Sequence, residues 1–429
     1  MTTTTTRAAG VPTAPPPTAL REPGSLLPGD PVLRLLTWTT LVNALGNGLY
    51  FTVSALYFTR ILGYTVAQTG LVLTVAGLCG VAASIPAGRA ADRYGSKWVV
   101  IVLVGAEAVA SAGLPLLHGV PAFLLLACTV TALDRGVATA RSTLYAQALP
   151  AEQRVAARGY LRAVTNVAMG LGGVLAGLTL QADTRFAYTV TVLANSVSYA
   201  LVAVCMLRLP GGGPAGGPPR GERARTERRN PALRDVPFLT LTVLNALLTL
   251  QFAMLEVGVP LWIVRDTHAP RALVAAGMLV NTVLVVLFQV RATRGTDRPG
   301  RAARVCLRGG LLLAAGCVLI GLAHGLSPVA ASVLLVLGLV VETFGEVLTQ
   351  AGGWALSYDL AGDGAAGAYQ GVYNTGTAAA GMAGPALITL GVISHGAVGW
   401  LALGALLAAA GAAMVPVTGW GQRRAAPAV

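Results

Sequence analysis

Lysine occurs once in this 429-residue chain, at position 97, and every other basic residue is arginine. That lysine follows Ser96, so there is no Gly-x-x-x-x-Gly-Lys phosphate loop, and ATP-driven pumping by that route is excluded. Charge of either sign is scarce: 11% of the residues are charged, against about 25% in a soluble domain. The histidines, at positions 118, 268, 324 and 395, fall between apolar runs or at the edge of one and do not suggest a metal site. The five cysteines, Cys79, Cys128, Cys205, Cys306 and Cys317, match no zinc spacing and read as packed free thiols. No cofactor is expected. Residues 1–30, rich in Thr, Pro and Ala, have neither an apolar core nor a cleavage site, and read as a disordered tail rather than a signal peptide.

What the chain has instead is apolar length. Hydrophobic residues make up 55% of it, and the mean hydropathy is +0.68. A helix needs about 20 apolar residues to cross the hydrocarbon of a bilayer. Runs of that size predict twelve spans: 33–59, 66–87, 98–117, 121–148, 159–181, 186–208, 237–264, 272–290, 305–323, 328–350, 367–391 and 394–418. The expected fold is an all-α membrane bundle, since lipid requires each backbone to satisfy its own hydrogen bonds. Segment 209–234 breaks the pattern. It opens on glycines and prolines and continues with Arg220, Arg223, Arg225, Arg228 and Arg229, a flexible charged linker between six-helix halves at 31–208 and 235–418. Residues 419–429 form a short C-terminal tail.

The net charge of +13 would point a soluble protein toward nucleic acid; here it follows the positive-inside rule, and no nucleic-acid partner is expected. Arg89, Arg93 and Lys97 follow span two, Arg154 and Arg158 span four, the linker arginines span six, and Arg291, Arg294, Arg298, Arg301 and Arg304 span eight. The alternate loops hold only Arg60, Arg185, Arg265 and Arg271. Even-numbered loops and both termini are thus expected in the cytoplasm, loop 10–11 with Asp359 and Asp363 being the exception. The excess of Ala, Gly, Val and Arg suggests a GC-rich bacterial genome, and hence the bacterial cytoplasmic membrane.

The short loop after span two reads Gly88-Arg-Ala-Ala-Asp92-Arg93-Tyr-Gly95-Ser-Lys97, and Asp297-Arg298-Pro-Gly300-Arg301 echoes it 205 positions later. Asn166 and Asn374, each before a glycine-rich stretch, lie 208 apart. The signature resembles the loop 2–3 motif of the major facilitator superfamily, and the repeat offsets agree with its duplicated six-helix unit. The resemblance implies alternating-access transport of a small solute. It also implies that Gly88, Asp92, Arg93 and Gly95 latch the two halves in the outward-facing state. Ser96 replaces the usual base after Gly95, which leaves that contact to Lys97. The glycine-rich stretch of span five lacks the Gly-Pro pair of the family's proton-coupled drug antiporters; a Gly384-Pro385 pair stands in span eleven instead. Close helix packing also explains both stretches. Arg154, Arg158, Tyr160 and Arg162, with the Tyr369-Gln370 to Tyr373 run, are similar to bacterial efflux members.

Ionisable residues at membrane depth are costly and face a cavity or a partner. The candidates are Asp134 and Arg135 in span four, Glu107, Glu256, and Glu342 with Glu346 one turn on. A carboxyl held away from water can take up and release protons near neutral pH, as an antiporter requires; a structural ion pair is the alternative. Asp134 and Glu256 rank first. Gly345-Glu346 also resembles a pair that stabilises the family's cytoplasmic gate. Asn43, Asn47, Tyr50, Asn166, Asn245, Gln251, Asn281, Gln370 and Asn374 are candidates for a central substrate cavity, interhelical hydrogen bonds being the other explanation. The expected partners are a small-molecule substrate, protons and the bilayer, with the monomer as the working unit. Three functions fit: a proton-coupled exporter of amphipathic drugs or metabolites, an uptake symporter or uniporter for a nutrient, and a non-transporting membrane receptor. The first ranks highest.

Overall fold

The computed structural model describes residues 28–210, 230–362 and 364–425. The tail at 1–27, the linker arginines 220–229, Asp363 and the last four residues lie outside it. Among the described residues there is no strand, and twelve helices follow one another: α1 Pro31–Leu56, α2 Val66–Tyr94, α3 Ser96–Ala112, α4 Val120–Ala148, α5 Ala151–Ala182, α6 Arg185–Leu207, α7 Val236–Asp266, α8 Leu273–Ala292, α9 Pro299–Gly321, α10 Pro328–Asp359, α11 Ala366–Leu387 and α12 Gly396–Ala425. Ten stretches are long and apolar enough to cross a membrane; one, Ala366–Arg424, is α11 and α12 together. Asn43, Asn47 and four threonines keep α1 below that level of hydropathy.

Several helices begin on side chains that accept their free N-terminal amides. Asp30 accepts from Val32 N, Thr184 from Ala187 N and Asp235 from Phe238 N, while Thr65 and Gln68 form a reciprocal capping box on α2. α11 has no such cap and no acid in its first turn. Within α7 a π turn covers Met254–Gly258. Pro260 follows it; proline has no N–H, and its ring crowds the carbonyl four residues back, that of Glu256. The ladder slips by one residue at that acid.

The helix ends correct several expected boundaries. α5 begins at Ala151, α9 at Pro299 and α10 runs to Asp359, so Arg154, Arg158, Arg301, Arg304 and Asp359 belong to helices rather than loops. α12 continues to Ala425, through most of the segment read as a tail at 419–429. An apolar window finds the part of a helix that lipid covers, and these helices continue past it with polar residues.

Packing repeats between the first six helices and the last six. α1 rests on α5 and α6, α2 on α4, and α3 on α4 and α6; α7 rests on α11 and α12, α8 on α10, and α9 on α10 and α12. Gly172 lies against Leu45 and Gly48 of α1, and Gly376 and Gly384 lie against Thr242 and Ala253 of α7. The glycine-rich stretches therefore close equivalent helix pairs. The two sets meet along α2 with α11 and α5 with α8. At the first crossing the backbones touch at Gly88 and Gly367, and Gly371 sits on Ser84 and Ile85.

A methyl group at Gly88 would collide with the Gly367 carbonyl, whereas one at Gly70 would meet nothing. Overpacking of this kind costs about 1–3 kcal/mol. Gly88→Ala is expected to lower the apparent Tm by several degrees and Gly70→Ala to leave it unchanged. Equal Tm values for the two variants in a thermal melt would refute this account of the crossing.

Candidate functional site: the interface between the two helix sets

The contacts between the two sets cluster at the end of the molecule that carries the arginine-rich loops, here the basic end. The outermost is made by Asp92, in the last turn of α2. Its carboxylate accepts from the backbone N–H of Gly367 at 2.7 Å and of Ala368 at 2.7 Å. These are orphan donors of α11, where the helix dipole favours an anion, so Asp92 caps a helix of the opposite set. Gly95 turns the chain from α2 into α3 at φ +89°, a region that favours glycine. Two expected latch residues are placed elsewhere. Lys97 is buried, and its ammonium donates to the carbonyls of Leu207, at 3.1 Å, and Leu209, at 2.6 Å, at the C-terminus of α6. A cation belongs at that negative pole, so Lys97 braces its own set. Arg93 is exposed and lies 5.3 Å over the ring of its neighbour Tyr94.

The repeat is not latched in the same way. Asp297 pairs with Arg301 at 3.3 Å on the surface, both more than half exposed. α5, the helix equivalent to α11, carries its own first-turn acid, Glu152.

Deeper along α5, Arg158 donates to the Tyr358 hydroxyl at 3.0 Å, and its guanidinium lies 4.9 Å over Trp354 and 5.7 Å over Tyr358. That hydroxyl donates to the Ser142 carbonyl of α4 at 3.4 Å. One turn on, Arg162 pairs with Glu346 of α10 at 2.7 Å; the glutamate is 2% exposed. Asn281 donates to its other oxygen at 2.8 Å, and Arg162 also covers the Phe252 ring of α7 at 5.0 Å. Glu346 is thus held by α5 and α8 together. Glu256, on the π turn, lies exposed within electrostatic reach of Glu346 and Arg162.

A second polar cluster lies within the first set. Asn47 accepts from the Tyr199 hydroxyl at 2.7 Å. Buried Glu107 faces Tyr199, Asp134 and Arg141, and Arg141 donates to Asn43 at 3.2 Å. Asp134 and Arg135 pair with each other at 3.5 Å despite being sequence neighbours, with side chains 43% and 49% exposed. Other candidates are packing elements. Asn245 accepts from Tyr373, Gln251 donates to Thr349, and Gln370 donates to Ser357, all buried. Asn374 bonds back to the Gln370 carbonyl. Glu342 is fully buried beside Gly316 of α9 and lies within electrostatic reach of Glu346, one turn on. Tyr50 and Asn166 are half-buried, with no hydrogen-bond partner among the described residues.

Sequence reasoning gave Arg158 and Arg162 no site role. Their signal was the spacing of Arg158, Arg162 and Asn166 at i, i+4 and i+8, one stripe of α5. An apolar span that opens at 159 leaves Arg158 outside the helix, and with it the first member of the stripe.

An all-helical bundle with two matching sets, joined by charged contacts at one end, is the architecture of a membrane transporter. The Major Facilitator Superfamily model matches residues 36–385, and the chain belongs to that family. It is similar in structure to the human organic anion transporter MFSD10 (TETRAN), with TM-score 0.60, 18% identity, and coverage of 91% of this chain and 97% of that one. It is also similar to a bacterial homologue of the iron transporter ferroportin in an outward-facing state, with TM-score 0.67, 13% identity, and coverage of 92% and 100%. No curated protein sequence matches the chain. The protein is a multi-pass membrane transporter of a small molecule, not an enzyme.

A hydrogen bond to a charged acceptor is worth about 1.5–3 kcal/mol and a neutral one about 0.5–1.5 kcal/mol. Asp92→Asn is therefore expected to weaken the α2–α11 contact by about 1 kcal/mol, to speed amide exchange at Gly367 and Ala368, and to slow transport with little change in substrate affinity. Unchanged exchange and turnover at normal expression would remove the latch assignment.

Proposed function

We propose that the protein is a proton-coupled exporter of small amphipathic drugs or metabolites, with residues 31–208 and 235–418 as its two moving bodies. The Arg162–Glu346 ion pair carries this reading. It joins the two bodies at membrane depth, and Glu256 stands beside it on a backbone defect. Single-turn π segments recur at functional sites. Breaking a buried pair by neutralising one partner is strongly destabilising to the contact it holds. A proton delivered through Glu256 to Glu346 would discharge the pair, release Arg162, and allow the basic end to open. Asp134 and Glu107, near Asn47 and Arg141, supply a second acidic pair for cargo or proton. Asp92 and Arg158 close the basic end in the meantime.

The arginine-rich face belongs in the cytoplasm under the positive-inside rule. The form described here is then outward-facing, and both termini are cytoplasmic in a bacterial inner membrane. Few charges line the spans, which favours an apolar or amphipathic cargo over a sugar or organic acid.

The test is accumulation of a fluorescent lipophilic cation in an efflux-deficient bacterium expressing the chain. Lower accumulation that a protonophore abolishes is expected, and Glu346→Gln and Glu256→Gln should each return accumulation to the level of cells lacking the protein. Higher accumulation in expressing cells would replace export by uptake. Export that persists with the protonophore, or in both variants, would overturn proton coupling through these acids.

A further inference from the structure

On the outer flank, α10 packs against both α8 and α9, which have little contact with each other. Between them lies a cleft of about 380 Å³ with α10 as its floor. Its walls are apolar, formed by Phe288 of α8, Leu312 of α9 and Phe344 and Leu348 of α10. Leu287 and Leu311 beside it are both 53% exposed, as expected of a surface that meets lipid rather than the central path. The volume falls at the small end of the range for ligand sites, about 300–1,000 Å³.

One charged side chain lines this cleft, Arg291, in the last turn of α8. Its guanidinium lies 5.7 Å over the Phe288 ring, which meets Phe344 edge-on at 5.1 Å. No acid pairs with it among the described residues. Arg308 lies one turn before Leu312 on the same face of α9, exposed and also without an acidic partner there. Asp297 is committed to Arg301 and Glu346 to Arg162 and Asn281, while Glu342 is fully buried against Gly316 of α9, one turn further from the basic end. Two guanidiniums without an acidic partner among the described residues therefore belong to this flank, Arg291 lining the cleft and Arg308 one helical turn from its wall at Leu312.

We propose that this cleft binds one anionic phospholipid, with its phosphate between Arg291 and Arg308 and an acyl chain against Phe288, Phe344 and Leu312. Basic pockets between membrane helices recognise anionic headgroups in this way. Free phosphate would leave the apolar walls unused, and in a zwitterionic lipid the headgroup's own cation would offset the phosphate charge that the guanidiniums attract. The assignment is independent of cargo and direction of transport. Because Gln289 of α8 donates to the Val347 carbonyl in the cleft floor at 3.4 Å, a bound lipid would brace the α8–α10 pair that also holds Glu346.

The test is native mass spectrometry of the purified, delipidated full chain offered equal phosphatidylglycerol and phosphatidylcholine. The wild type should retain phosphatidylglycerol about tenfold better. Arg291→Gln with Arg308→Gln should bring the ratio near one, and Arg291→Lys should keep most of the preference. Leu312→Trp, which fills the cleft without altering charge, should lower retention of phosphatidylglycerol; if it does not give a monodisperse protein, Ala292→Leu narrows the same wall. Equal retention of both lipids by the wild type would overturn the proposal. So would a preference that survives the double substitution, or displacement of the lipid by millimolar inorganic phosphate.

Discussion

α11 begins without a capping side chain of its own, and the carboxylate that satisfies two of its first-turn amides comes from Asp92, 275 residues before Gly367 in the chain. The rest of the closed end follows from that arrangement. The carboxylate reaches the amides only if the helices cross at backbone contact, which sets glycine at 88 and 367. It must also stop at the last turn of α2, which sets the positive-φ glycine at 95. Neither set can satisfy these donors alone, so the closed form is the one in which α11 has a cap. Separating the two helices would hand these two hydrogen bonds to water, at a cost of about 1.5–3 kcal/mol for each.

Behind this cap the contacts become drier with depth. Arg158 is held by ring faces and one hydroxyl, Arg162 by a glutamate that is almost entirely buried. Surface pairs contribute little and buried pairs are sensitive to loss of one charge. The outer contacts therefore keep the sets in register, while the inner one is where neutralising a single group changes the balance most. The acid on the π turn of α7 is positioned beside that inner contact and on the side away from the cap.

Much of this was legible in the residues. Apolar length defined the helices, arginine placement defined one charged face, and Gly88, Asp92 and Gly95 marked the segment that meets α11. The boundaries were less legible, because hydropathy ends where lipid ends and helices such as α5 and α10 do not. That error moved Arg158 off its helix and hid the stripe it shares with Arg162. Partner choice was less legible still. Lys97 sits within the motif yet serves α6, and Asn245 and Gln370 look like cavity residues but satisfy buried neighbours. Side chains of one type at one depth are separated by which helix lies opposite, and that is a property of the assembled bundle.

Lys97 has a consequence of a different kind. The only lysine of the chain is spent inside the first helix set, its amine covered by two carbonyls. The exposed positive face is built from guanidinium groups alone. Those remain charged at any pH a cell experiences, and acetylation of lysine has nothing to act on there. The positive charge of that face is consequently fixed at synthesis, out of reach of both acidity and the commonest charge-removing modification.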